Sequence, residues 1–143
     1  MPISHVTSSF VDPELHTSLL VHFARYFDAC DRCDIDAVMA IMEGATVGVG
    51  ASALTDPAVI REMYASRQPA PLEDGRRVTK HHVTNLIVEG PDDDGLVTAS
   101  VYYFRLQPAE GGPVVATSGR LREVVRRDGD RWAVLTHAII TDF

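Results

Sequence analysis

The sequence predicts an α+β fold in which three helices come first and four long antiparallel strands follow. Three observations carry this reading. Apolar residues recur at helical spacing through the first third of the chain. Stretches rich in β-branched and aromatic residues fill the chain beyond residue 78. The joints between those later stretches are short turn signals rather than helices, so the order is not the βαβ alternation of a parallel sheet.

Each element has its own justification. With ~100° per residue and Phe23 set at zero, Leu15, Leu19, Leu20, Tyr26, Phe27 and Cys30 fall within about 80° of it, one broad apolar face. This predicts a helix over 14–32, with Pro13 suited to its first turn. Asp34 is an N-cap signal for a second helix ending near Met42. A short strand is expected over 45–49. Asp56 and Pro57 together signal a third helix start, a capping carboxylate followed by a proline at the first helical position. The four strands are predicted over 78–89, 96–107, 114–127 and 131–141. They are joined by Pro91-Asp92-Asp93-Asp94-Gly95, by a loop over 108–113, and by a tight Asp128-Gly129 turn. Consecutive strands joined this way form an antiparallel meander.

Composition limits the functions available. The chain has 143 residues, 45% of them hydrophobic, and a formal net charge of −7. That length fits one domain spanning 1–143 with an apolar core of its own. The acidic balance argues against nucleic acid, which needs a clustered basic surface. Arg120, Arg122, Arg126 and Arg127 are read as the solvated face of a strand. No apolar run reaches the ~18 residues of a membrane span. The start of the chain lacks a basic segment and an apolar stretch, so no signal peptide is expected and the cytoplasm is the expected location. Gly48 and Gly50 lack the third glycine and the helix start of a dinucleotide fingerprint, and no cofactor is expected.

Cys30 and Cys33 form a CxxC. Its redox form opens a helix after a strand, whereas here it closes a helical pattern. Zinc needs two further ligands, and the adjacent His81 and His82 point to opposite faces of a strand. The reading is a buried Cys30 beside an ordinary Cys33, with no metal.

Three stretches carry a family resemblance. Residues 26–38, Tyr26 through Asp31, Asp34 and Asp36, resemble the end of the first helix in SnoaL-like proteins. Thr79-Lys80-His81-His82-Val83-Thr84-Asn85 resembles that group's histidine strand. Ser118-Gly119-Arg120-Leu121-Arg122-Glu123, followed by Asp128-Gly129-Asp130-Arg131-Trp132, is similar to its closing hairpin, except that Leu121 stands where an aromatic is usual. The group belongs to the nuclear-transport-factor-2-like superfamily, with scytalone dehydratase, ketosteroid isomerase and polyketide cyclases among its relatives. The resemblance implies a cone-like sheet curled around the helices and a cavity inside it.

It also directs attention to particular residues. Asp31 lies at the edge of the apolar helical face and in the last turn, where the helix dipole disfavours a carboxylate. Local preference does not explain it, and a carboxylate facing an apolar cavity suits a general base. The resemblance pairs it with His81, which alternation places with Val83, Asn85 and Ile87 on one strand face. Tyr26, about 140° from Asp31 around an ideal helix, is placed to polarise an oxygen. Tyr102, Glu123 and His137 are candidates for substrate contact. One of Tyr102 and Tyr103 is expected to face the cavity, and His137, by alternation, the face opposite Trp132. The expected function is a cofactor-free acid–base enzyme, a dehydratase, isomerase or cyclase acting on a small hydrophobic oxygenated molecule. The alternative is a non-catalytic binding or assembly domain like the small subunit of a ring-hydroxylating oxygenase. A homodimer is expected from apolar residues on both strand faces, Leu86, Val88, Val124 and Val125 among them.

Overall fold

A computed structural model describes residues 11–143. Helices α1 (Pro13–Asp31), α2 (Ile35–Ile41) and α3 (Pro57–Arg67) alternate with, then give way to, strands β1 (Thr46–Val49), β2 (Ser52–Leu54), β3 (Lys80–Glu89), β4 (Leu96–Ala109), β5 (Gly112–Asp128) and β6 (Arg131–Thr141). The strands form one curved, unclosed sheet in the order β2-β1-β6-β5-β4-β3. Every pairing is antiparallel except β1 with β6, which is parallel. The sequence reading lacked β2 and that parallel pair. β2 is three residues long, too short to show a period of its own.

The helix starts follow from side-chain capping. Asp12 accepts from the Glu14 N–H at 2.8 Å, Asp34 from Ala37 at 3.0 Å and Asp56 from Ala58 at 2.9 Å. Each satisfies a donor that the first helical turn cannot. The end of α1 explains the CxxC. Cys33 has φ 54°, and the Asp34 N–H reaches back to the Ala29 carbonyl at 3.0 Å. This is a left-handed helix stop, a position usually given to glycine. Cys30 is buried in the core, where burial pushes its thiol up to about 12, and Cys33 donates its thiol to the Gln68 carbonyl. Among the described residues no three potential ligands are placed to hold a metal.

The concave face of the sheet is the core. Val97, Ala99, Val101 and Tyr103 of β4 alternate inward, as do Leu121, Glu123 and Val125 of β5. Leu19, Phe23, Tyr26, Phe27 and Cys30 of α1 pack into them, with Ile60 and Tyr64 of α3. Arg120, Arg122, Arg126 and Arg127 are exposed. No helix is long and apolar enough to cross a membrane among the described residues.

Two bulges correct the alternation read from sequence. Between Thr84 and Ile87 the register of β3 on β4 slips, with Asn85 at φ 55°. Beyond it the inward set changes phase: Leu86 and Val88 pack on the core, and Ile87 is exposed. In β6 the register slips at Leu135, so Trp132, Val134 and His137 are all buried. His137 is therefore not on the face opposite Trp132. One extra residue reverses the phase of every side chain beyond it.

Gly119 marks a close approach. A β-carbon there would lie 2.2 Å from the Ile140 carbonyl oxygen of β6. Gly119→Ala is expected to cost about 1–3 kcal/mol by forcing the two strands apart, measured as a fall in the denaturant midpoint at unchanged slope. An unchanged midpoint would mean that this end of the β5–β6 pair separates without cost.

Candidate active site

A cavity of about 450 Å³ opens between α1, α3 and the concave sheet. Tyr26, Phe27 and Cys30 line it from α1, Met63, Tyr64 and Arg67 from α3, and His81, Tyr103, Arg105, Leu121 and Ile139 from the sheet.

Asp31 and His81 meet at its wall. The Asp31 Oδ1 lies 2.6 Å from His81 Nδ1, and Oδ2 accepts the His81 backbone N–H at 2.8 Å. The Thr79 hydroxyl donates to Oδ1 at 3.2 Å. The carboxylate at the unfavourable end of α1 thus finds donors on β3 and on the residue before it. Asp31 is buried and touches the cavity only through His81; its own accessible edge borders an outer groove shared with Arg77 and Lys80. The His81 ring stacks on Phe27 with centroids 4.7 Å apart. With Nδ1 committed to Asp31, Nε2 has no protein partner among the described residues and is the nitrogen available to a bound molecule.

Tyr26 belongs to a second network. Its hydroxyl lies 3.1 Å from the Tyr64 hydroxyl and 3.2 Å from His137 Nε2. His137 Nδ1 is 2.6 Å from Glu123 Oε1, and Glu123 Oε2 is 2.7 Å from His22 Nε2. Burial raises both phenols, Tyr26 most of all, so each stays protonated and able to donate. Burial also pushes Glu123 upward, but hydrogen bonds from His137 and His22 outweigh it and hold the carboxyl down to about 2.

The sequence-derived candidates therefore divide. His81 and Tyr26 line one cavity, whereas Asp31, expected to face it, reaches it only through its hydrogen bond to His81. Glu123 and His137 do not contact it: both are fully buried behind Tyr26. Tyr102 is half exposed on the convex face, and its neighbour Tyr103 faces the cavity instead. Sequence reasoning missed His22, Tyr64, Arg67, Gln68 and Arg105. His22 had a legible signal, since it stands four residues before Tyr26 on the same helical face.

The model of the SnoaL-like domain matches residues 17–137. The chain belongs to this family. No curated protein matches it. Among solved structures it is similar to Aln2 from a Streptomyces species, at 24% identity over 93% of this chain and 94% of that one, with a TM-score of 0.75. A Catenulispora acidiphila protein in complex with S-DNPA is 20% identical over 92% and 96%, with a TM-score of 0.70. The β subunit of a putative aromatic-ring-hydroxylating dioxygenase from Novosphingobium aromaticivorans is 12% identical over 91% and 90%, with a TM-score of 0.71. At these identities the structures share the fold.

Proposed function

We propose that the chain is an acid–base enzyme that works without a cofactor on a small, largely apolar, oxygenated molecule held in the cavity. The observation that carries this is the Asp31–His81 pair at the wall of a 450 Å³ cavity. Asp31 accepts the Nδ1 proton and fixes the ring, so Nε2 takes a proton from a carbon or oxygen of the substrate and returns it at a neighbouring atom. The Tyr26 and Tyr64 hydroxyls share one hydrogen bond, so one phenol proton of this pair, not both, serves the oxygen on which charge develops. Dehydration, isomerisation and cyclisation all need this same equipment. The S-DNPA complex of the Catenulispora protein supports a small-molecule ligand. The test is turnover by Asp31→Asn and His81→Ala variants read beside ligand affinity.

The second reading, a non-catalytic assembly domain, has the dioxygenase β-subunit likeness in its favour. On that reading the same substitutions leave assembly and binding unchanged and there is no turnover to lose.

We also propose a homodimer through the convex sheet face. Leu86, Val88 and Val125 turn inward and do not contribute, but Ile87 and Tyr102 remain more than half exposed there. Light scattering at micromolar concentration is expected to give twice the chain mass; a monomer would end this proposal.

A further inference from the structure

The cavity has a charge that the acid–base scheme does not use. Two arginines line it, Arg67 at the end of α3 and Arg105 on β4, and no aspartate or glutamate does. The buried carboxylates Asp31 and Glu123 are already engaged, Asp31 with His81 and Glu123 with two histidines. Neither Arg67 nor Arg105 makes a salt bridge among the described residues. The Arg105 Nε is buried with no hydrogen-bond partner, and so is the Gln68 side-chain oxygen, both on residues of this cavity. A buried unpaired guanidinium N–H is costly to leave unmade, so a group that completes it is strongly favoured.

We propose that Arg105, with Arg67 at the rim and Gln68 beside it, forms a carboxylate subsite, and that the molecule taken by the cavity is an organic acid. The planar guanidinium fork matches a carboxylate through two parallel hydrogen bonds. Phe27, Met63, Leu121 and Ile139 accept the apolar remainder of the ligand. Gln68 supplies the complementary preference, since its unpaired oxygen takes a hydroxyl or N–H donor from the ligand. The subsite stands next to the candidate proton shuttle. Arg105 is the direct cross-strand partner of His81, and residues so paired share a sheet face with β-carbons about 5 Å apart. An anchored carboxylate therefore places the atoms a few bonds away within reach of His81 Nε2.

This inference rests on the reading of the cavity as a ligand site, and its test reads binding alone, so that it fails or holds apart from catalysis. The probes are naphthylacetic acid and naphthylacetamide, nearly equal in shape and different in charge, titrated at neutral pH against the full chain by calorimetry. Wild type is expected to bind the acid about tenfold or more tighter than the amide, the range of a charge-assisted pair. Arg105→Gln is expected to remove most of that preference and keep the affinity for the amide. Arg67→Gln, at an exposed helix end where folding is not at issue, is expected to reduce it in part. Equal or tighter binding of the amide to wild type overturns the subsite, as does an acid that does not bind at millimolar concentration. A preference that survives when Arg67→Gln and Arg105→Gln are combined also overturns it. Amide binding with no preference for the acid would remove the subsite and leave the cavity's acid–base reading standing.

Discussion

Asp31→Asn is expected to keep the fold and the affinity for ligand while turnover falls by roughly 10²-fold or more, the usual weight of general acid–base assistance. The geometry makes the reason specific. All three groups that meet this carboxylate are donors: the Thr79 hydroxyl, the His81 N–H and the His81 ring. An asparagine amide presents one N–H₂ among them. If that group faces Nδ1, the ring must accept there and carry its proton on Nε2, the tautomer that cannot act as a base. His81→Ala removes the shuttle itself and is expected to lose as much. The two losses should not add, because both variants disable one unit. Equal turnover in wild type and Asp31→Asn would defeat the catalytic assignment without touching the fold.

The second large effect concerns stability. Glu123→Leu is expected to destabilise the protein by about 3–5 kcal/mol, since it leaves two buried imidazoles facing hydrocarbon. Glu123→Gln retains an acceptor and should cost less. The pH dependence has a definite sign. The folded carboxyl lies near 2, below its ordinary 4.5. Its contribution is therefore fully present above about 4.5 and is lost as pH falls toward 2. Denaturant melts of wild type and Glu123→Gln across that window should converge at the acid end. A constant gap would show that the charge on Glu123 contributes nothing.

Most of the fold was legible because its signals are local. The Asp34 and Asp56 caps, with Pro13 and Pro57, announce the helices, and the turns after β3 and β5 announce the hairpins; the Asp12 cap was not read from the sequence. Asp31 was legible for a different reason: it is misplaced by helix electrostatics, and a misplaced charge needs a partner elsewhere. The phase of the strands was not legible. Val83 and Leu86 both face inward because Asn85 intervenes, and Trp132 and His137 do so because Leu135 intervenes. Leu135 is an ordinary strand residue, and Asn85, a type that strands disfavour and that tolerates its φ of 55°, was a signal left unread. The same gap hid the second network. Glu123 and His137 are brought opposite each other by the slip in β6, His22 is far from both in sequence, and only the closed fold shows that one carboxylate serves both rings. Nothing in the sequence sets Arg105 apart, because the burial of its Nε depends on how the helices pack over β4.

The hydrogen-bonded column that runs from His22 through Glu123 and His137 to Tyr26 and Tyr64 has a consequence for descent within the family. Each member is satisfied only by its neighbours, so a single replacement strands a polar group in the core, whereas exchange of the whole set for hydrocarbon of similar volume need cost little. These positions are therefore expected to change together. Relatives should carry the column intact or lack it altogether, and a chain that keeps the carboxylate but neither imidazole is an intermediate that the core does not tolerate.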